Sequence, residues 1–387
     1  MIKLMKKTFS EEEETKKKLC EFITDAKRLS MGSKCKQFEK EFAKYQGREY
    51  AVLLNSGSSA NLALISALVN MGKLNKDDNV GFSSLTWATN TMPLIQCGLN
   101  AIPIDVSSQN LNITSETLLD YLNSGQKLKA LFITNLLGFC GDLDKIKEIC
   151  EERNILLLED NCESLGSELQ NKKLGNFGFA SSFSFFVGHH MSTVEGGMVC
   201  TDDKELYDLL LMVRAHGWSR ELDEEKTKEL REKHGISKFH EMYTFYIPGY
   251  NLRPTEITGV IGIEQLKYLE ENFEKRNKIF NIYEKTVKQN PDTENLDLSH
   301  MNFVCNFAYP ITFKDKETFE KYQEKFEGIA EIRPLVGGCI PNQPFFKNKD
   351  GKYPNAEKIN NLSFYVPNNP DLTDEEVETI RKLLSKD

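Results

Sequence analysis

An α/β fold with a largely parallel sheet covered on both faces is predicted by two observations. Short apolar runs of strand length recur from residue 51 to residue 202, and stretches with apolar residues at helical spacing lie between them. The runs are Ala51–Leu54, Ala101–Val106, Ala130–Thr134 and Ile155–Leu158, and the clearest helical stretches are Asn61–Leu74 and Asp142–Arg153. Strands that alternate with helices build parallel sheets with helices on both sides. Ligands of such sheets bind beyond the carboxyl ends of the strands. Farther on, Thr255–Arg276 reads as one long helix after the turn Pro248-Gly249-Tyr250. A strand-like piece, Phe307–Phe313, and a closing helix, Thr373–Leu384, predict a smaller α+β part. We therefore expect a large domain over 1–250 and a linking helix with a smaller domain over 251–387.

A length of 387 residues suits two domains with a substantial core, and 40% hydrophobic with 28% charged residues is ordinary globular composition. The formal net charge of -9 argues against a general nucleic-acid binder but leaves room for a local basic pocket. The 9 cysteines form no CxxC pair and predict a reduced, cytoplasmic protein rather than a disulfide framework. Neither a signal peptide nor an apolar run of membrane-spanning length is seen. The Lys/Glu-rich stretches Glu11–Lys18 and Glu221–Lys233 read as solvated helix faces.

Three segments carry candidate chemistry. In AVLLNSGSSANLALISAL, a strand enters Asn55-Ser56-Gly57-Ser58-Ser59 and then a helix, which suits a phosphate at the helix start; a plain serine-capped turn is the alternative. In ILLLEDNCES, an apolar strand ends in Glu159-Asp160. A carboxylate there needs a cationic partner, such as a protonated pyridine nitrogen, unless it is a helix cap or solvated. In SSFSFFVGHHMSTVEGGMVCTDD, Ser184 and the pair His189-His190 precede Glu195-Gly196-Gly197. Adjacent side chains on an extended chain point to opposite sides, so one of the two histidines is expected to face the site.

These segments, in this order, resemble the DegT/DnrJ/EryC1 sugar aminotransferase family of fold-type I pyridoxal-phosphate enzymes. The segments MGSKCKQFEKEFAKY, SLTWATNTMPLIQCG, PGYNLRPTEITGVIGIEQL and FYVPNNPDLTDEEVETI extend the resemblance over essentially the whole chain. It implies that Gly57, Ser58 and Ser59 bind the cofactor phosphate and that Trp87 stacks on the pyridine ring. Asp160 would hold the ring nitrogen protonated with Glu163 close by, and Ser184 would add a phosphate contact. Asn251 would reach the phosphate of the other subunit in a homodimer.

One departure sets the expected function. The family's aminotransferases carry a lysine six residues before the glutamate of the EGG turn; here that place holds His189, and no lysine occurs between Lys173 and Lys204. Imidazole cannot bond the cofactor covalently as lysine does, but it can act as a base near neutral pH. The exchange is similar to that of the family's 3-dehydratase branch. It implies loss of the C3 hydroxyl from a nucleotide-linked 4-keto-6-deoxyhexose, with L-glutamate regenerating pyridoxamine phosphate, in the dideoxysugar biosynthesis that feeds lipopolysaccharide O-antigen. Some members of that branch also carry an iron–sulfur cluster on four cysteines. Cys162 fits the first ligand place, but Arg220, Leu222 and Leu230 occupy the other three, and one thiolate cannot hold a cluster. No metal is therefore expected, and a GDP-linked 4-keto-6-deoxymannose is favoured over the CDP-linked glucose analogue. A nucleotide-sugar aminotransferase is the alternative. A catalytically dead relative is the third reading, against which Asp160, Trp87 and the loop serines speak.

Overall fold

In the computed structural model, which describes residues 1–347 and 351–386, the chain alternates as its hydrophobic pattern implies. The strands are β1 (Tyr50–Leu54), β2 (Asn79–Ser83), β3 (Asn100–Ile104), β4 (Ala130–Thr134) and β5 (Leu156–Asp160), followed by a small hairpin, β6 (Glu168–Leu169) and β7 (Lys172–Lys173). Then come β8 (Ala180–Ser184), β9 (Gly197–Thr201), β10 (Met301–Phe303), β11 (Ala308–Thr312), β12 (Arg333–Pro334) and β13 (Ser363–Pro367). The main sheet has the order β1-β9-β8-β5-β4-β2-β3. Strand β9 alone runs against its neighbours; the other pairings are parallel.

Every residue of β4 and β8 is buried, as in a sheet packed on both faces. Val52, Phe82, Phe132 and Leu158 pack with Leu64 and Leu68 of the helix Gly57–Asn70 on one face. Leu131, Ile133 and Leu157 join a different cluster on the opposite face. Because only β9 is reversed, the carboxyl ends of β1, β2, β4, β5 and β8 gather at one edge, where β9 begins. Beyond this sheet, β10 joins the small hairpin, and β11, β13 and β12 form a second three-stranded sheet.

The stretch expected as one helix over Thr255–Arg276 is two helices, Glu256–Leu266 and Leu269–Val287. The first is tied to the N-terminal segment: Gln265 accepts from the Ser10 amide at 2.8 Å, and Glu264 pairs with Lys18 at 2.8 Å. The second buries Leu269 and Phe273. Tyr268, at φ -105 and ψ 0, re-phases the chain between these anchors. A two-residue turn preserves the apolar spacing, so periodicity alone does not reveal it. No described helix is long and apolar enough to cross a membrane.

Candidate active site

A cavity of about 490 Å³ opens at the edge where the strand ends gather. That volume suits a cofactor-sized ligand. Ser56, Gly57 and Ser58 line it after β1, Trp87 after β2, Asp160 and Glu163 at β5, and Ser184 at the end of β8. Phe307, Arg333 and Tyr365 from the C-terminal part complete the wall.

Asp160 ends β5 and is 4% exposed. Its Oδ2 accepts from Asn61 Nδ2 at 2.7 Å and Asn90 Nδ2 at 3.4 Å, and its Oδ1 accepts from the Cys162 amide at 3.0 Å. Two amide side chains and a backbone amide thus set the carboxyl's direction. Neither Asn61 nor Asn90 was singled out from sequence, although a buried polar residue at the start of the apolar helix Gly57–Asn70 was the available signal. Glu159, one residue earlier, faces the other way. It accepts from the amides of Gly175, Phe177 and Gly178 at 2.7 to 2.8 Å and from Asn135 Nδ2 at 3.1 Å. Its surroundings are structural, as the alternation along a strand requires. Glu163 is buried, and burial raises its pKa to about 8; the Leu137 amide, donating at 3.0 Å, opposes this and Asp160 reinforces it. At neutral pH Glu163 is therefore mainly a carboxylic acid with a proton to donate.

Ser56 caps the helix Gly57–Asn70, accepting from the Ser59 amide at 3.1 Å, a contact worth about 1 kcal/mol. The helix's first turn then borders the cavity, where its dipole favours an anion. Gly57 permits this approach: a Cβ there would lie 2.5 Å from Cβ of Ser184. Ser59 stands one step back from the cavity lining, and its hydroxyl bonds that of Ser56 at 3.0 Å. Trp87 is 53% exposed and leaves a ring face open to a ligand.

Between β8 and β9 the chain folds back on itself, with Phe185 N donating to Gly196 O at 2.9 Å and Val187 N to Val194 O at 3.2 Å. Val194 takes φ 68, a costly conformation for a β-branched residue. Gly197 opens β9 so close to the phosphate-type loop that a Cβ would lie 2.2 Å from the Ser56 carbonyl oxygen. The fold-back carries His189 into the main cavity, between the rings of Phe186 and Phe307 at 5.8 and 5.4 Å. Burial lowers the His189 pKa to about 4; a hydrogen bond to the Ser184 carbonyl opposes this, and the charge of Arg276 adds to it. The ring is neutral at pH 7, with Nδ1 buried and unpartnered. His190 is turned to the back of the loop, where its Nε2 donates to the Cys305 carbonyl at 3.1 Å. No lysine is among the described residues that line the cavity.

Asn251 lies outside this cavity. It is exposed, its Oδ1 accepts from Arg253 Nε at 3.0 Å, and its backbone pairs with Ala215. Among the residues named from sequence, Gly57, Ser58, Trp87, Asp160, Glu163, Ser184 and His189 share one cavity, while Ser59 and Asn251 do not line it. Phe307, Arg333 and Tyr365 were missed, because nothing local in the sequence marks them as neighbours of strand ends more than a hundred residues earlier.

The profile of the DegT/DnrJ/EryC1/StrS aminotransferase family matches residues 10–385. The GDP-4-keto-6-deoxy-D-mannose 3-dehydratase of Yersinia pseudotuberculosis is 36% identical over 375 residues, covering 94% of each chain. Among solved structures, E. coli GDP-4-keto-6-deoxy-D-mannose-3-dehydratase with bound hydrated PLP superposes with a TM-score of 0.90 at 33% identity, covering 100% of this chain and 99% of that one. A histidine-to-asparagine variant of GDP-4-keto-6-deoxymannose-3-dehydratase with bound GDP-perosamine gives a TM-score of 0.89 at 33% identity, with 100% of both chains covered.

Proposed function

We propose that this chain, which belongs to the DegT/DnrJ/EryC1/StrS aminotransferase family, is a pyridoxal/pyridoxamine phosphate-dependent 3-dehydratase. Its substrate is a nucleotide-linked 4-keto-6-deoxyhexose, GDP-4-keto-6-deoxy-D-mannose in first place, and glutamate is its amino donor. The setting is cytoplasmic deoxysugar synthesis for lipopolysaccharide. The observation that carries this reading is His189 in a cavity with no lysine among its described lining residues, beside the buried carboxyl of Asp160. In this reading, residues 1–250 hold the cofactor and residues 251–387 close over it.

The residues present fit such a cofactor. The helix start at Gly57 and Ser58, with Ser184 against it, offers amides and hydroxyls to a phosphate. Ser59 supports that turn from behind. Trp87 offers a ring face, and Asp160 offers a carboxyl held in direction by Asn61 and Asn90. When bound, the cofactor supplies an amine for the sugar ketone and a ring that takes up an electron pair. Asp160 keeps the ring nitrogen protonated, and Glu163 offers its proton as a hydrogen bond nearby. His189 takes up a proton on its imidazole and returns it to the departing C3 hydroxyl. Overall, glutamate's two electrons replace the C3–O bond by C–H, with 2-oxoglutarate and ammonia as the other products. Mass spectrometry of reactions with glutamate and GDP- or CDP-linked 4-keto-6-deoxyhexoses tests this. A 3-deoxy ketosugar with ammonia is expected, and a stable amino sugar would overturn it.

The working unit in this reading is a homodimer in which Asn251 serves the neighbouring subunit's phosphate site. It is supported by the arm around Asn251, where Phe239, Met242, Tyr243 and Phe245 are all more than half exposed. Mixing inactive Asn251→Ala and His189→Asn proteins should regenerate activity as subunits exchange. A fully active monomer by light scattering would refute it.

A further inference from the structure

Behind the loop that carries His189 lies a second cavity, of about 40 Å³. His189 and His190 line it, together with Lys7, Asp371 and Arg276. Arg276 is the group that needs explaining. It is 5% exposed, on the helix Leu269–Val287. Arg214, also buried, has Glu39 and Glu221 against it at 2.5 and 2.9 Å. Arg276 has no carboxylate in such contact among the described residues; Asp371 acts on it only through space. Its partners are carbonyl oxygens, one of Asn368 and one of His189 at 3.4 Å, and its Nε is buried without a partner. A buried guanidinium without a counter-charge is costly, and a packed apolar side chain would serve stability better.

We propose that Arg276 is a positioning residue for His189: its guanidinium clamps the His189 backbone carbonyl to that of Asn368 and sets the field at the imidazole. The clamp is reciprocal, since Asn368 Nδ2 donates to the Arg276 carbonyl at 3.1 Å and also to Asn306. It joins the histidine loop to the segment after β13. The assignment rests on His189 being the base.

Charges face His189 from both sides. In the main cavity stand Asp160, Glu195 and Arg333, the last matched by Glu331 at 2.7 Å. Burial keeps Glu163, Cys162 and Tyr365 there toward their protonated, neutral forms. At the back, Lys7 and Asp371 pair at 2.9 Å, and burial pushes His190 toward neutrality. Arg276 is the unmatched charge on that side. It disfavours imidazolium and so leaves His189 free to accept a proton.

Titration of ¹³C-labelled histidine by NMR, in cofactor-loaded protein, separates this role from a structural one. Arg276→Gln should raise the His189 pKa, because a cation leaves its vicinity. The acid limb of kcat should move to higher pH in step, and kcat should fall roughly tenfold or more with KM little changed, the signature of a misplaced group. Arg276→Lys keeps the charge but not the two-pronged fork, so kcat should fall while the acid limb stays. An unmoved His189 pKa in Arg276→Gln, with only a lower melting temperature, overturns the proposal. Should that variant not fold, the lysine variant decides: reduced kcat at an unmoved limb supports the clamp, and undiminished kcat refutes it. The titration reads His189 whether or not the sugar is dehydrated. A failure of the proposed reaction appears in wild-type products, and a failure of the clamp appears in the variants' pKa.

Discussion

His189→Asn is expected to slow turnover by roughly two to four powers of ten, the usual worth of a positioned general base. Asparagine keeps approximate shape and hydrogen bonding but takes up no proton. Cofactor titration should be nearly unchanged, because Asp160, Ser184 and the helix start at Gly57 remain in place. Normal turnover by this variant would remove histidine from the mechanism. His189→Lys is the informative counterpart. It places an amine in a cavity with no lysine among its described lining residues, so borohydride should fix cofactor to position 189 and dehydration should fall. The wild-type chain should show no lysyl adduct. His190→Asn should act mainly on stability, since its ring bonds the Cys305 carbonyl at the back of the loop.

The low pKa of His189 carries a further consequence for acid stability. Its ordinary value is 6.5 and its folded value about 4, so below 6.5 the unfolded chain binds a proton that the folded chain refuses. Stability from this group is complete above pH 6.5 and is lost progressively as pH falls toward 4. His189→Asn should flatten that part of the melting-temperature profile.

Asp160→Asn is the second large effect. Without the carboxyl, nothing favours a protonated ring nitrogen, and turnover at saturating cofactor should fall roughly 10²–10³-fold, as when one preorganised electrostatic partner is removed. Cofactor affinity should drop by about 1.5–3 kcal/mol, the worth of a charge-assisted hydrogen bond. The fold should survive, because an amide of the same size keeps an acceptor for Asn61 Nδ2. Steady-state kinetics with cofactor titration measures both quantities. Undiminished turnover at saturating cofactor would show that Asp160 is not the ring-nitrogen partner.

By itself, the sequence determined what depends on neighbours along the chain. Alternating apolar runs and amphipathic stretches placed β1, β3, β4 and β5 to within a residue or two, because period and burial are local properties. The same order along the chain put Gly57 and Asp160 at strand ends and His189 where a lysine would stand. Only the tertiary structure decided the rest. It turned Glu159 to the loop at Gly175–Gly178 and Asp160 to the cavity. It broke the helix expected over Thr255–Arg276 at Tyr268, where the two halves answer to different anchors. It brought Phe307, Arg333 and Tyr365 against strand ends far earlier in the chain, and it set Arg276 behind His189. Contacts between residues so far apart leave no period in the sequence. They arise when separate elements bury their faces against one another, and only the folded chain specifies which residues then meet.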